Sequence, residues 1–148
     1  VVLAHNRDDS LRNCLASLTS LADMRLFQLY VSLDDAVAAD RMGQVVRDFA
    51  TKAQIDIRVW HVEPQVPGPN ASADIAKWIT TYNTAKIAHH YWVAFERAFM
   101  DQKHEYVVFV EEDLTFSPDF LALFRSTASL LAQDPSLWCV SAWNDNGF

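Results

Sequence analysis

The fold class is indicated most directly by the stretch Tyr-Val-Val-Phe-Val-Glu-Glu-Asp at residues 106–113. Its first five residues form an unbroken apolar run, which is typical of a β-strand covered on both faces. The run ends in three consecutive acids, Glu111, Glu112 and Asp113. In open α/β sheets, ligands bind beyond the carboxyl ends of the strands. The stretch therefore predicts a buried strand that leads directly into a ligand site.

Outward from this strand, the chain alternates strands with helices. Apolar runs and alternating apolar residues predict further strands at residues 1–5, 26–33, 55–62 and 137–142. Apolar residues at helical spacing predict helices at residues 8–21, 36–52, 83–100 and 118–132. Residues 63–82 hold three of the five prolines and are predicted to be a long loop with room for a short helical turn. This order predicts an α/β domain with a mostly parallel sheet flanked by helices.

The composition is that of one ordinary globular domain. Of its 148 residues, 51% are hydrophobic and 21% are charged, which suffices for one core. The net charge of −7 argues against nucleic-acid binding, which needs clustered Lys and Arg. No stretch approaches the roughly 18 apolar residues of a membrane span. The chain opens on Val1 without a Met and stops at Phe148 in an apparent site loop, so we expect a fragment without any membrane anchor.

Two pairs of residues with metal-binding chemistry have simpler interpretations. Cys14 lies on an apolar helical face and Cys139 inside an apolar run, so both are predicted to be small buried residues. His89 and His90 are adjacent on a predicted helix and point about 100° apart, so they cannot chelate one metal together. From their positions alone, structural histidines are favoured, with one hydrogen bond in a cleft as the alternative.

Polar residues follow four of the predicted strands. They are Asn6-Arg7, Asp34-Asp35, Glu111-Glu112-Asp113 and Trp143-Asn144-Asp145. An acid such as Asp34 can accept a hydrogen bond from a base or ribose, or it can cap the next helix. Arg7 can reach a phosphate or stack on a base, or it can be an ordinary surface residue.

The acidic triplet has two interpretations, a metal site or a solvated acidic turn. Alternation along a strand sends Glu111 and Asp113 to one face and Glu112 to the other, so the three acids cannot share one role. Carboxylate oxygens suit Mg²⁺ or Mn²⁺. The chain has only three glycines and no glycine-rich phosphate loop. Phosphate charge would therefore have to be neutralised by a metal or by basic side chains, which favours the metal interpretation.

Several blocks together resemble a known enzyme family. The most specific are Val110-Glu111-Glu112-Asp113-Leu114, Ser117-Pro118-Asp119-Phe120 and residues 136–147, Ser-Leu-Trp-Cys-Val-Ser-Ala-Trp-Asn-Asp-Asn-Gly. Further blocks lie at residues 2–7, 31–34 and 86–91. The chain resembles the β-1,2-N-acetylglucosaminyltransferase I family, which includes protein O-mannose β-1,2-N-acetylglucosaminyltransferase. The resemblance covers nearly the whole chain and is weakest through residues 63–82.

The resemblance implies a GT-A (Rossmann-like) fold, with residues 1–148 as the N-terminal, nucleotide-sugar-binding part and the acceptor-binding half absent. It implies an inverting transferase that uses UDP-N-acetylglucosamine as donor and a mannose-terminated glycan as acceptor. The implied cofactor is Mn²⁺, although oxygen ligands alone do not distinguish it from Mg²⁺. The implied location is the Golgi lumen, as a type II membrane protein whose anchor is absent from this chain.

The resemblance also implies roles for individual residues. Asp113 matches the metal ligand, and Glu111 matches an acid near the donor sugar. Glu112 matches an acid near the ribose or donor sugar, a position held by Asp in one relative and Glu in the other. The positions implied to contact the nucleotide, the last two through the uracil, are Arg7, Asp34 and His90. The family's general base is a carboxylate beyond the Trp-Asn-Asp block, so this chain is expected to lack transfer activity by itself.

Two other functions compete with this interpretation. The first is a non-catalytic nucleotide- or glycan-binding module on the same scaffold. The second is a metal-dependent phosphohydrolase that uses the acidic triplet. The phosphohydrolase would need further His or Asp ligands at converging strand ends, and the order of the motifs does not suggest them.

Overall fold

The computed structural model describes residues 1–34 and 37–142. Its strands are β1 (Val2–Ala4), β2 (Leu29–Leu33), β3 (Ile57–His61) and β4 (Val110–Glu111). Its helices are α1 (Asp8–Thr19), α2 (Ala39–Ala53), α3 (Ala73–Thr81), α4 (Asn83–Glu96) and α5 (Phe120–Gln133). A 3₁₀ turn at Met24–Leu26 precedes β2, and a π-helical turn at Arg97–Asp101 continues α4. No helix in these residues is long and apolar enough to cross a membrane.

The four strands form one parallel sheet in the order β3-β2-β1-β4. Val2 pairs with Val31 of β2 on one side and with Val110 of β4 on the other. The prediction of an α/β domain with a parallel sheet flanked by helices is confirmed. Because all four strands run the same way, their carboxyl ends lie along one edge of the sheet.

Each face of the sheet packs against its own set of helices. Val2 and Val31 share a core with residues of α1, α2 and α5. Leu3 and Tyr30, their neighbours along the strands, point the other way and pack against Ala94 of α4 and Ala98 of the π-helical turn. β1 and β2 are therefore buried on both faces, which is the arrangement that continuous apolar runs predict.

β4 is shorter than the strand predicted at residues 106–110. It covers only Val110–Glu111, because the neighbouring strand β1 begins at Val2, opposite Val110. Residues 106–109 therefore lie mostly beyond the start of β1 and have little backbone to pair with. The side chains of residues 107–109 still alternate between the two cores, so both faces of this segment are partly covered as expected.

The strand predicted at residues 137–142 is wrong, because the segment pairs with none of the described strands. Trp138 is 96% exposed. Cys139 is exposed as well, so the prediction that it is buried is wrong, whereas Cys14 is buried as predicted. An apolar run indicates a strand only where a neighbouring strand edge receives it, and apolar content alone does not specify that neighbour.

Two predicted helices begin late, and one helix lies in a predicted loop. α2 begins at Ala39 and not at residue 36. The predicted loop at residues 63–82 contains the nine-residue helix α3, whose first turn is capped where Ser72 Oγ accepts a hydrogen bond from Ile75 N at 3.3 Å. α5 begins at Phe120 and not at residue 118. Ser117 Oγ donates to Asp119 Oδ1 at 2.6 Å and does not cap the helix backbone. Local side-chain hydrogen bonds of this kind compete with capping.

Candidate functional site

The candidate site lies where β1, β2 and β4 end side by side. The ladder continues past the strands, because Asp34 N donates to Ala4 O at 3.3 Å and Glu112 N donates to Leu3 O at 3.0 Å. These backbone bonds bring Asp34 and Glu112 to either side of the end of β1. Arg7 follows β1 and caps α1 in an extended conformation. Residues distant in sequence therefore meet because parallel strands end at one edge.

On one side of β1, a single carboxylate is held by two histidines. Asp34 Oδ1 lies 2.6 Å from His5 Nδ1, and Asp34 Oδ2 lies 3.3 Å from His90 Nδ1. Because a carboxylate only accepts hydrogen bonds, each Nδ1 serves as a donor. The second ring nitrogen of His90, Nε2, lies 2.9 Å from Ser32 Oγ. We call Ser32, Asp34, His5 and His90 the Asp34 cluster.

Electrostatics keep Asp34 ionised within this cluster. Burial acts to raise the pKa of the Asp34 carboxyl group, and hydrogen bonds and charge interactions with His90 and His5 act to lower it. The second set of effects is larger in sum, so the pKa lies below its ordinary value. Asp34 is therefore a charged acceptor at neutral pH.

On the other side of β1 lies the acidic turn, Glu111–Asp113. Glu112 is only 1% exposed. Its Oε1 accepts from Arg7 Nε at 2.8 Å and its Oε2 accepts from the backbone N–H of His5 at 3.1 Å. Arg7 Nη1 also donates to Asp113 Oδ2 at 3.0 Å. These hydrogen bonds, first the one to Glu112, raise the pKa of the Arg7 guanidinium, so this cation stays charged.

The remaining acid, Glu111, is exposed and has a different partner. Its Oε1 accepts a hydrogen bond from the Tyr91 hydroxyl at 2.9 Å. Burial, followed by this hydrogen bond and the charge of Glu111, raises the pKa of Tyr91 to about 12. The hydroxyl therefore keeps its proton and remains a donor across the physiological pH range. The alternation of the strand predicts that Glu112 faces away from Glu111 and Asp113, and in the structure Glu112 is buried while the other two are exposed.

The structure brings all six predicted site residues to this edge of the sheet; they are Arg7, Asp34, His90, Glu111, Glu112 and Asp113. Their individual roles stay predictions. His90 forms hydrogen bonds in the site, which is the alternative to a purely structural histidine that the sequence left open. His89 Nε2 contacts Glu63 O at 3.0 Å outside the site. Asp35 and the block Trp143-Asn144-Asp145 lie outside the described residues.

Sequence reasoning missed two residues that hold the site together. His5 lies in the matching block at residues 2–7 without a predicted role, yet its side chain contacts Asp34 and its backbone contacts Glu112. Tyr91 lies in the helix predicted at residues 83–100, also without a predicted role. The usable signal for His5 is its position directly after β1. For Tyr91 no local signal exists, because its partner lies 20 residues away along the chain.

A divalent cation would find one suitable protein ligand among the described residues, Asp113. Its side chain is 42% exposed, and only Oδ2 accepts from Arg7. No group of three or more His, Cys, Asp or Glu side chains in residues 1–34 and 37–142 could hold a metal. This donor set does not fit an all-protein cage. It fits an ion held by one carboxylate and completed by water and substrate phosphates, as is common for Mg²⁺.

Comparisons with known proteins give a family and a relative for this chain. The model of the family described as GNT-I matches residues 1–148, the whole of the chain. Among curated proteins, the chain is similar to an alpha-1,3-mannosyl-glycoprotein 2-beta-N-acetylglucosaminyltransferase of Arabidopsis thaliana, with 40% identity over 62 residues. That stretch is 42% of this chain and 14% of the relative.

Proposed function

Because the chain belongs to the GNT-I family, we propose that it is the donor-binding part of a glycosyltransferase. The proposed donor is UDP-N-acetylglucosamine, and the transferred group is N-acetylglucosamine. The name of the Arabidopsis relative, a mannosyl-glycoprotein N-acetylglucosaminyltransferase, supports this transfer and a mannose-terminated glycan as acceptor. The Golgi lumen is the proposed setting, on the family resemblance alone.

The observation that carries the proposal is one continuous network across the site. It runs from Asp34 through the side chain of His5, then through the His5 backbone to Glu112, and finally through Arg7 to Asp113. One end offers hydrogen-bonding groups of the kind that recognise a base. The other end carries more acids than bases, as an ion-assisted diphosphate site requires. A nucleoside diphosphate sugar combines both needs in one ligand.

In this proposal each end has its own task. Asp34 and His90 recognise the uracil, and Glu111 and Glu112 hold the donor sugar or ribose. Asp113 would hold a divalent cation, Mn²⁺ or Mg²⁺, which when bound neutralises charge on the departing diphosphate. Arg7 offsets the repulsion between Glu112 and Asp113, since it donates to both.

The attacking hydroxyl of the acceptor also needs a general base. In the described part of the site, each carboxylate already accepts a hydrogen bond: Asp34 from histidines, Glu111 from Tyr91, and Glu112 and Asp113 from Arg7. We therefore propose that the base lies outside residues 1–34 and 37–142. The same observation favours the second candidate, a module that binds the nucleotide sugar without transferring it.

The experiment that tests donor binding is isothermal titration calorimetry of UDP and UDP-N-acetylglucosamine, with and without Mn²⁺. Wild-type protein is compared with Asp113→Ala. We expect metal-dependent binding that weakens by more than about 100-fold in the variant, since even the supporting neighbours of metal ligands are worth about 10–100-fold. Metal-free UDP binding should change little, because Asp34 and His90 are untouched.

The matched control is Asp119→Ala, an exposed acid whose partner is Ser117 and not a site residue. It should bind both ligands as the wild type does. A folded wild-type protein that binds neither ligand with any metal would overturn the proposal. Transfer of radiolabelled sugar to a mannose-terminated glycan, measured on the full-length natural protein, separates the transferase from the binding module.

A further inference from the structure

Helix α4 sends two consecutive side chains to opposite ends of the site. His90 reaches the Asp34 cluster beyond β2, and Tyr91 reaches Glu111 at the end of β4. Adjacent residues on a helix point about 100° apart, and β1 lies between the two strands that they reach. One turn of one helix thus sets the position of acids on both sides of the central strand.

Glu111 depends on this contact more than its neighbours depend on theirs. Arg7 is shared by Glu112 and Asp113. Among the described residues, Glu111 forms no ion pair, and the hydroxyl of Tyr91 is the donor to its side chain. Without it, repulsion from two adjacent acids would favour side-chain rotamers that carry Glu111 away from them.

Tyr91 is itself held firmly enough to act as an anchor. Its ring packs edge-on against Phe95 at 6.0 Å between centroids, and Phe95 packs against Phe109 at 4.4 Å. Phe109 directly precedes β4. The same aromatic contacts therefore fix α4 against the strand that carries Glu111, and they leave the hydroxyl at a set distance from its partner.

We propose that Tyr91 is a positioning residue that orients Glu111 toward the sugar of the donor, and so determines how well the site distinguishes a sugar nucleotide from a free nucleotide. This inference rests on the proposed function. It separates the two ends of the site: His90 serves the nucleotide, and Tyr91 serves the sugar. Tyr91 acts only through Glu111 and contacts no reacting atom.

The test is Tyr91→Phe in the full chain, which removes the hydroxyl and keeps the ring that packs on Phe95. Calorimetry with UDP and UDP-N-acetylglucosamine in Mn²⁺ gives two dissociation constants for each protein. We expect the constant for UDP to stay within about twofold and that for the sugar nucleotide to rise about tenfold, the effect of losing a hydrogen bond to a charged group. The melting temperature should change by less than about 3 °C.

A double-mutant comparison tests whether Tyr91 acts through Glu111. In a Glu111→Ala background, Tyr91→Phe should cause no further loss, because its partner is gone. The matched control is Tyr30→Phe. It removes a hydroxyl that lies outside the site and is hydrogen-bonded to His104 Nε2 at 2.9 Å. Both dissociation constants should then equal those of the wild type.

Three outcomes would overturn the inference. They are equal weakening of both ligands by Tyr91→Phe, no weakening of either, or an undiminished effect in the Glu111→Ala background. All three can be judged when the wild type binds both ligands, whichever of them it binds more tightly. A wild type that binds neither would instead overturn the proposed function, and the inference with it, so the two failures are distinguishable.

Discussion

The Asp34 cluster and the acidic turn lie on either side of β1, yet they balance charge in opposite ways. In the cluster, one carboxylate is shared between two histidines, so donors outnumber acids. In the acidic turn, one arginine serves two of the three carboxylates, so acids outnumber cations. Both sets follow the ends of parallel strands, and position in the fold alone therefore does not specify their chemistry.

The two ends of the site differ in whether their carboxylates are fully paired without a ligand. Each oxygen of Asp34 has an imidazole partner, so this end is preorganised for hydrogen bonding. At the acidic turn, Glu112 is buried and satisfied while Asp113 is exposed with one oxygen on Arg7. The excess negative charge at that end is an electrostatic cost that a bound cation would relieve. Variants on the two sides of β1 test this contrast.

The largest effect is expected from Arg7→Met, which removes the one cation of the acidic turn. The buried Glu112 would keep only the backbone N–H of His5, and we expect the free energy of unfolding to fall by about 2 kcal/mol. This is less than for a fully buried pair because Arg7 is half exposed. Urea unfolding at neutral pH measures it.

Two further variants show whether the charge of Glu112 is the cause. Arg12→Met, on the exposed side of α1, should change the free energy of unfolding by less than about 0.5 kcal/mol. Adding Glu112→Gln to Arg7→Met should restore part of the loss, since a neutral amide is cheaper to bury than a carboxylate. Equal losses in the Arg7 and Arg12 variants would contradict the central role of Arg7.

A smaller effect is expected from His5→Ala, which cuts the connection between the two ends. Asp34 loses one of its two partners, and UDP should bind about fivefold more weakly, the typical value of one hydrogen bond. His5→Asn should bind nearly as well as the wild type, because its amide can donate to Asp34. The hydrogen bond from the backbone N–H of residue 5 to Glu112 persists in both variants. Their unfolding curves should therefore stay close to that of the wild type.

Calorimetry compares these variants with His89→Ala, whose histidine contacts Glu63 O outside the site. The His89 variant should bind UDP as the wild type does. If His5→Asn binds as weakly as His5→Ala, the hydrogen bond to Asp34 is not what His5 contributes to the site.

The smallest effect is a pH dependence at the Asp34 cluster. The pKa of Asp34 lies below its ordinary value of 3.8 in the folded chain, so the unfolded chain binds the proton more readily. The stabilisation is therefore complete above the ordinary pKa and is lost as the pH falls through the lowered one. Urea unfolding of wild type and Asp34→Asn should show a difference that shrinks only below about pH 4. A difference that is undiminished at about pH 2 would contradict this loss of stabilisation below the ordinary pKa.

Much of the fold could be predicted because its signals are local. The apolar periodicity at residues 8–21 and 36–52 correctly predicts α1 and α2, whose buried stripes face the sheet. The segment at residues 137–142 is an apolar run, but it pairs with none of the described strands. Strand formation depends on a partner elsewhere in the chain, and a single segment carries no information about that partner.

The site, like the fold, could be predicted only in part. Acids at strand ends are visible in the sequence, so Asp34 and the acidic turn could be proposed as site residues. The partners that give each acid its character are not visible. Arg7 and Glu112 are separated by 105 positions, and His5 and Asp34 by 29. Alternation separates Glu112 from Glu111 and Asp113, but it does not tell which of the three acids is buried or which ones receive the arginine.

The sequence was enough to predict the alternation of strands and helices as far as β4, the parallel sheet and the edge at which polar residues gather. These follow from periodicity and from the rule that parallel strands end together. Only the tertiary structure decided that Asp34 is held by two histidines, that Arg7 serves Glu112 and Asp113, and that Tyr91 holds Glu111. The physical reason is range. Periodicity acts within a few residues, whereas a hydrogen bond needs two groups within about 3 Å, and only the packed chain brings them there.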